Sequence, residues 1–340
     1  MNKYKSPCNE NIMLKPSRVL VIVGLALIGL LLLVEWRSHW RHIAVAMAPE
    51  KTPQASNTPL ALQAQAFFWR EFHAGHYDQI PEMLRLLTAA YLEQPRDPKL
   101  PLLLAHTHLW KLSERARTDG RDPRITEHAI LAEKYFAEAQ ALNPEDARIL
   151  GWLGPVRITL GAIDQREKQV RRGYFDTLEG VDRYPEFNHF SIGFVLSRLP
   201  ASDPKFAEGV EQQWRNLEIC TNQKLDRDGN FVYAPFMSGE VTTGPKRACW
   251  NGVIAPHNVE GFFLNMGDML VKQGRPLQAQ RIYAFARLSK TYAQWPYRDL
   301  LERSIADATE RAQRFKQAEP GKEPPVMFNS DHACTGCHAG

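Results

Sequence analysis

Residues 262–286 read FFLNMGDMLVKQGRPLQAQRIYAFA, and this stretch decides the fold. Phe263, Met266, Gly267 and then Ala279, Tyr283 and Ala286 fall three, four or seven positions apart, the period of one helical face. Gly274-Arg275-Pro276 interrupts the period with a residue that ends helices and one that begins them. Two short helices joined by a tight turn are expected, the small residues letting them approach and the large ones filling the groove beside them. The same pattern recurs upstream in AEKYFAEAQALNP at 132–144, through Ala132, Phe136, Ala139 and Pro144, and continues at Leu150, Leu153, Gly154 and Gly161. A looser copy surrounds Gly75, Tyr77, Ile80 and Leu84. From Leu60 onward helical spacing dominates and alternating strand patterns are scarce.

On these residues the chain resembles the tetratricopeptide repeat family over about half of the region beyond its N-terminal apolar run. The resemblance implies an all-α solenoid of helical hairpins whose concave face binds a peptide or protein. An irregular helical bundle is the competing reading.

Outward from the repeats, the expected organisation is a cytoplasmic N-terminus at 1–18, a transmembrane anchor at 19–36 and a flexible tether at 37–60. A helical repeat region at 61–200, an irregular insertion at 201–256 in which Trp214 to Cys220 still reads as helix, and hairpins at 257–317 follow, and a Pro-rich linker with a terminal tail occupies 318–340. The anchor rests on VLVIVGLALIGLLLLV at 19–34, preceded by Lys3, Lys5, Lys15 and Arg18. At 1.5 Å per residue this run spans about 24 Å, short of a hydrocarbon core near 30 Å, so Trp36 is expected at the outer interface. The basic N-terminus places the remaining chain in the periplasm, with a single pass through the cytoplasmic membrane. Cleavage near Ala48 is disfavoured because it lies far from the apolar run and Pro49 would follow the cut.

Of five cysteines, Cys8 precedes the apolar run. Cys220 and Cys249 form the expected disulfide of an oxidising compartment, closing a loop of about 30 residues that pins a hairpin excursion within the insertion. Asp226, Asp228 and Asn230 are spaced like a calcium loop, but Phe231 stands where such a loop needs Gly, so a plain turn is expected. The close histidine pairs, His39 with His42, His73 with His76 and His106 with His108, have no carboxylate cluster at ligand spacing. The 42 Lys and Arg exceed the 38 Asp and Glu by only four, with no basic block, which gives nucleic-acid binding no electrostatic support.

The chemistry lies in residues 334–338, Cys-Thr-Gly-Cys-His. Attachment of one covalent haem c needs two thiols to add across two vinyl groups and an imidazole to ligate iron; on a helical turn Cys334, Cys337 and His338 stand at i, i+3 and i+4. With 5 Cys and 11 His in 340 residues, the pattern arises by chance about 0.002 times. A zinc site, with His332 as fourth ligand, and a redox dithiol are the other chemistries this spacing allows. His338 is the expected proximal ligand. Met327 and His332 are the near distal candidates, and Met237, His257, Met266 and Met269 the remote ones.

The expected function is electron transfer to or within a partner complex, a redox protein or membrane complex engaged through the repeats. The alternatives are a scaffold or assembly factor, for example in cytochrome maturation, and last a haem peroxidase-like enzyme, for which no acid and base pair stands out.

Overall fold

The computed structural model describes residues 16–118, 125–229, 231–237, 239, 241–249, 259–319 and 322–338, without the side chains of 16–22, 31–35, 37 and 38. These residues are helical, and no strand occurs among them. The chain divides into two compact units, Met1–Lys51 and Thr52–Gly340.

The first unit holds α1 (Pro16–Ala46), which contains the apolar run and continues ten residues past the expected end of the anchor. Among the described residues no helix is long and apolar enough to cross a membrane; part of the run lies outside the side chains described.

The second unit is built from helices whose ends follow local rules. The helix α2 (Pro59–His73) starts where the Thr58 side chain accepts from the Ala61 N–H at 3.2 Å, with Pro59 in its first turn. It is followed by α3 (Ile80–Glu93), α4 (Lys99–Ser113) and α5 (Ile125–Leu142). Asp146 caps α6 (Ala147–Ile163), and α7 (Glu167–Arg183) and α8 (Pro185–Leu196) come next. Asp203 caps α9 (Pro204–Thr221), which ends at Asn222 in the left-handed region with φ 56°. After the short α10 (Ala234–Met237) come α11 (Val259–Lys272) and α12 (Pro276–Ala284), joined through Gly274 at φ 82°, then α13 (Arg298–Ala306) and α14 (Ala308–Gln317). One further turn, α15 (Thr335–His338), carries the Cys-x-x-Cys-His motif.

Sequence neighbours pack in pairs: α2 with α3, α4 with α5, α6 with α7, α8 with α9 and α11 with α12. In the α6/α7 pair the backbones meet at two glycines: a Cβ on Gly154 would lie 2.6 Å from the Gly173 carbonyl oxygen, and one on Gly173 2.5 Å from that of Gly154. In the α11/α12 pair the Tyr283 ring fills the space where a Gly267 side chain would stand, 2.2 Å from its Cβ position. Ala132, Phe136, Ala139, Phe263, Met266, Ala279, Tyr283 and Ala286 are all fully buried.

Two differences from the sequence reading stand out. In the insertion expected from 201, where helix is expected only at Trp214 to Cys220, the eighteen-residue α9 starts ten residues earlier, at Pro204. The described residues of the insertion's later part hold turns and short helices and no strand of the expected hairpin, and Cys220 and Cys249 join α9 to the 3₁₀ turn at Pro245–Cys249 with 5.7 Å between Cα atoms. The motif-bearing segment is also not a free tail. Val326, Met327, Ala333, Thr335 and Cys337 are buried, and Asp268 on α11 ties the segment down at Met327, its Oδ2 accepting the Met327 N–H at 3.0 Å. The other oxygen, Oδ1, accepts from Tyr283 Oη at 2.6 Å and Arg311 Nη2 at 2.8 Å, so this buried carboxylate is satisfied.

The second unit holds two large buried clusters, one built from α2 to α6 and one from α8 to α14 and the C-terminal segment. Trp152 packs against both. So does the motif: Cys334 lies on the first cluster and Cys337 within the second.

Candidate functional site

The motif turn is closed by its own backbone, with Gly336 N donating to His332 O at 2.8 Å and His338 N to Cys334 O at 3.1 Å. The first amides of such a turn have no partner within it. Glu114, just past the end of α4 and with a fully buried side chain, supplies one: its Oε1 accepts from the N–H of Cys334 at 2.7 Å, the N–H of Thr335 at 2.8 Å and the Thr335 hydroxyl at 3.1 Å. Arg117 neutralises this carboxylate, its Nε donating to Glu114 Oε2 at 2.7 Å and to the Asp331 carbonyl at 2.7 Å. Its Nη2 reaches Thr335 Oγ1 at 3.1 Å. From the other side Trp295 Nε1 donates to the Gly336 carbonyl at 3.1 Å, and Tyr297 shares a 2.6 Å hydrogen bond with Thr335.

Helix α11 comes against this turn at Gly261. A Cβ there would lie 2.5 Å from the Gly336 carbonyl oxygen and 2.7 Å from both Cα and Sγ of Cys337, so only glycine allows the approach. Cys334 Sγ lies 3.0 Å from Ser113 Oγ, in hydrogen-bonding contact. The His338 ring packs at 4.6 Å from that of Phe72 on α2. Burial pushes the Cys334 thiol well above its usual range and the negative Glu114 adds to this; burial, and after it the negative Glu260, raises Cys337. Both sulfurs are therefore protonated at neutral pH, unlike the thiolates of dithiol exchange.

Cys334, Cys337 and His338 face a common small cleft of about 30 Å³ walled by Trp152, Phe187, Phe190 and Phe194. Trp152, Phe194 and Cys334 also border a larger cavity of about 360 Å³, whose walls include Leu109, Leu112, Val156, Arg115 and Arg198. Two thiols and an imidazole on one turn form the donor set that a covalently attached haem needs, with a single protein nitrogen; all three face the small cleft, and Cys334 alone of them also borders the larger, mostly apolar cavity. Among the described residues no three His, Cys, Asp or Glu side chains converge as a metal-ion cage.

The near distal candidates lie elsewhere. Met327 is fully buried against the motif turn, its Cε 2.6 Å from where a Gly336 Cβ would be, and borders neither cavity. His332 pairs with Asp331 at 2.7 Å and packs at 5.2 Å on Tyr297. Met266 and Met269 belong to the second core, Met237 packs at its edge, and His257 lies outside the described residues. The turn at Asp226 is closed by Gly229 N donating to Asp226 Oδ1 at 3.0 Å.

Glu114, Arg117, Trp295, Tyr297 and Gly261 were not legible as site residues. KLSERAR at 111–117 has the composition of a solvated helix end, and nothing local marks Glu114 as the partner of a motif 220 residues away. No protein-family model matches the chain, and no curated protein or solved structure matches it either.

Proposed function

We propose that this chain is a membrane-anchored periplasmic c-type cytochrome, carrying one haem through Cys334, Cys337 and His338 and passing single electrons to a partner protein or complex. The observation that carries the reading is the presentation of two thiols and an imidazole on one turn, its first amides held by Glu114, around a small cleft that adjoins a larger apolar cavity at Cys334. Bound there, the haem supplies a reversible one-electron couple at iron. The chain's part is to hold and orient: Cys334 and Cys337 provide the covalent attachment, His338 the proximal nitrogen, and Glu114, Arg117, Trp295 and Tyr297 keep the turn from shifting between oxidation states. The aromatic and aliphatic walls around Trp152 and Phe194 keep water from the site and lower the local dielectric, which tunes the potential.

Anchoring through the apolar run in α1, with basic residues before it, is the membrane part of this reading. The Cys220–Cys249 disulfide supports an oxidising compartment. The paired helices, with the tetratricopeptide-like pattern of small and large residues at 132–161 and 262–286, are the proposed scaffold for the partner.

A spectroelectrochemical titration of the protein matured in a cytochrome-competent periplasm tests the function. A reversible one-electron transition in the haem bands is expected. Haem that is lost on mild treatment, or that cannot be cycled, would overturn electron transfer in favour of a scaffold or haem-handling role.

A further inference from the structure

The larger cavity has a composition that the attachment motif does not explain. Its walls are largely apolar, through Leu109, Leu112, Trp152, Val156 and Phe194, yet Arg115 and Arg198 also border it. Neither forms an ion pair with a described carboxylate. Among the described residues Arg115 Nη1 donates to the Leu112 carbonyl alone, at 3.1 Å, whereas Arg117, Arg157, Arg227 and Arg311 each hold an acidic partner. Burial, and after it the like charge of Arg115, lowers the Arg198 pKa. Two cations sharing a half-buried wall repel each other, and the arrangement is relieved when anions join them.

An occupant that satisfies the whole cavity has a broad apolar body and two negative groups on one side. Haem has that form, with two propionate carboxylates on the edge away from its vinyl groups. We propose that Arg115 and Arg198 are the propionate clamp of the haem attached at Cys334 and Cys337, and so determine which way round the macrocycle lies. This rests on the haem reading above. A guanidinium meets a carboxylate through two parallel N–H···O bonds, which makes arginine suited to fixing a planar ligand as well as neutralising it. Both residues act as positioning residues, and their charges also favour the reduced iron over the more positive oxidised one.

The test uses the full chain matured with haem, comparing the wild type with Arg115→Gln, Arg198→Gln, the double variant and Arg198→Lys. Covalent haem per chain, reduction potential and the propionate bending bands in resonance Raman spectra are read for each. One haem per chain is expected in all of them, because thioether formation needs only the two cysteines and the vinyl groups. The potential should fall in each Gln variant, most in the double one, with the propionate bands shifted; Arg198→Lys should recover most of the potential but not the bands. Arg275→Gln, which removes a half-exposed arginine paired with Asp228, should change neither. Haem-loaded Gln variants with wild-type potential and bands, or an equal fall in Arg275→Gln, would overturn the clamp and leave the haem reading standing. A wild type without covalent haem would overturn both.

Discussion

The two sides of the Cys334–His338 turn are built on opposite principles. On the Thr335 side the turn meets charged and hydrogen-bonding partners drawn from the segment after α4 and the segment before α13: Glu114, Arg117, Trp295 and Tyr297 converge on Cys334, Thr335 and Gly336. On the Cys334 side the turn faces an apolar space with walls from α4, α5, α6 and α8. The turn is thus positioned through its backbone and left open at Cys334, while Cys337 packs against Gly261. Rigidity on one face makes a defined opening on the other possible, because a turn held only by its side chains would collapse into the space.

Disrupting the polar side should have the larger effect. Glu114→Ala leaves the amides of Cys334 and Thr335 and the Arg117 guanidinium without their shared partner, and removing one member of a buried charged pair costs about 3–5 kcal/mol. Urea denaturation should show that drop, with Glu114→Gln losing less because it keeps one acceptor. Gly261→Ala attacks the contact between α11 and the turn. The added methyl overlaps the Gly336 carbonyl and the Cys337 sulfur, and a destabilisation of about 1–3 kcal/mol is expected by the same measurement. An unchanged midpoint would mean that the turn does not dock as described. Trp295→Phe removes one donor from the Gly336 carbonyl and should cost about 1 kcal/mol.

A further effect belongs to the open side and appears with pH. His106 on α4 packs edge-on to Trp152, and burial lowers the pKa of both His106 and His108 to about 4, with His128 adding to the shift of His108. The unfolded chain binds these protons as pH falls through about 6.5, while the folded chain does not until about 4. Their contribution is thus fully present above pH 6.5 and is lost as pH falls toward 4. Thermal midpoints should decline across that window, and His106→Gln should flatten part of the decline; a flat profile in the wild type would contradict the buried, neutral state of these rings.

Much of the fold was readable because helical periods and their punctuation are local. Gly274 and Pro276 marked the α11/α12 turn, and Ala132, Phe136 and Ala139 marked the buried face of α5. The start of α9 was missed although Asp203 and Pro204 form an ordinary helix beginning, because the Gly- and Pro-bearing stretch after it coloured the whole segment. The motif was legible from its spacing, but its setting was not. A Pro-rich approach reads as a linker, and only the fold reveals that Asp268 and Glu114, remote in sequence, draw that segment into the seam between the two cores. Arg115 and Arg198 were likewise invisible, since 83 positions separate two residues that meet only at one cavity wall.

Covalent haem at this turn is the property from which the proposed electron transfer follows. An intact mass spectrum of the protein matured in a cytochrome-competent periplasm, paired with a pyridine haemochrome spectrum, tests it most directly. The prediction is one haem per chain through two thioether bonds, with Cys337→Ala abolishing the doubly attached species. A folded chain whose mass shows no haem and whose Cys334 and Cys337 remain free to alkylation after unfolding would contradict it.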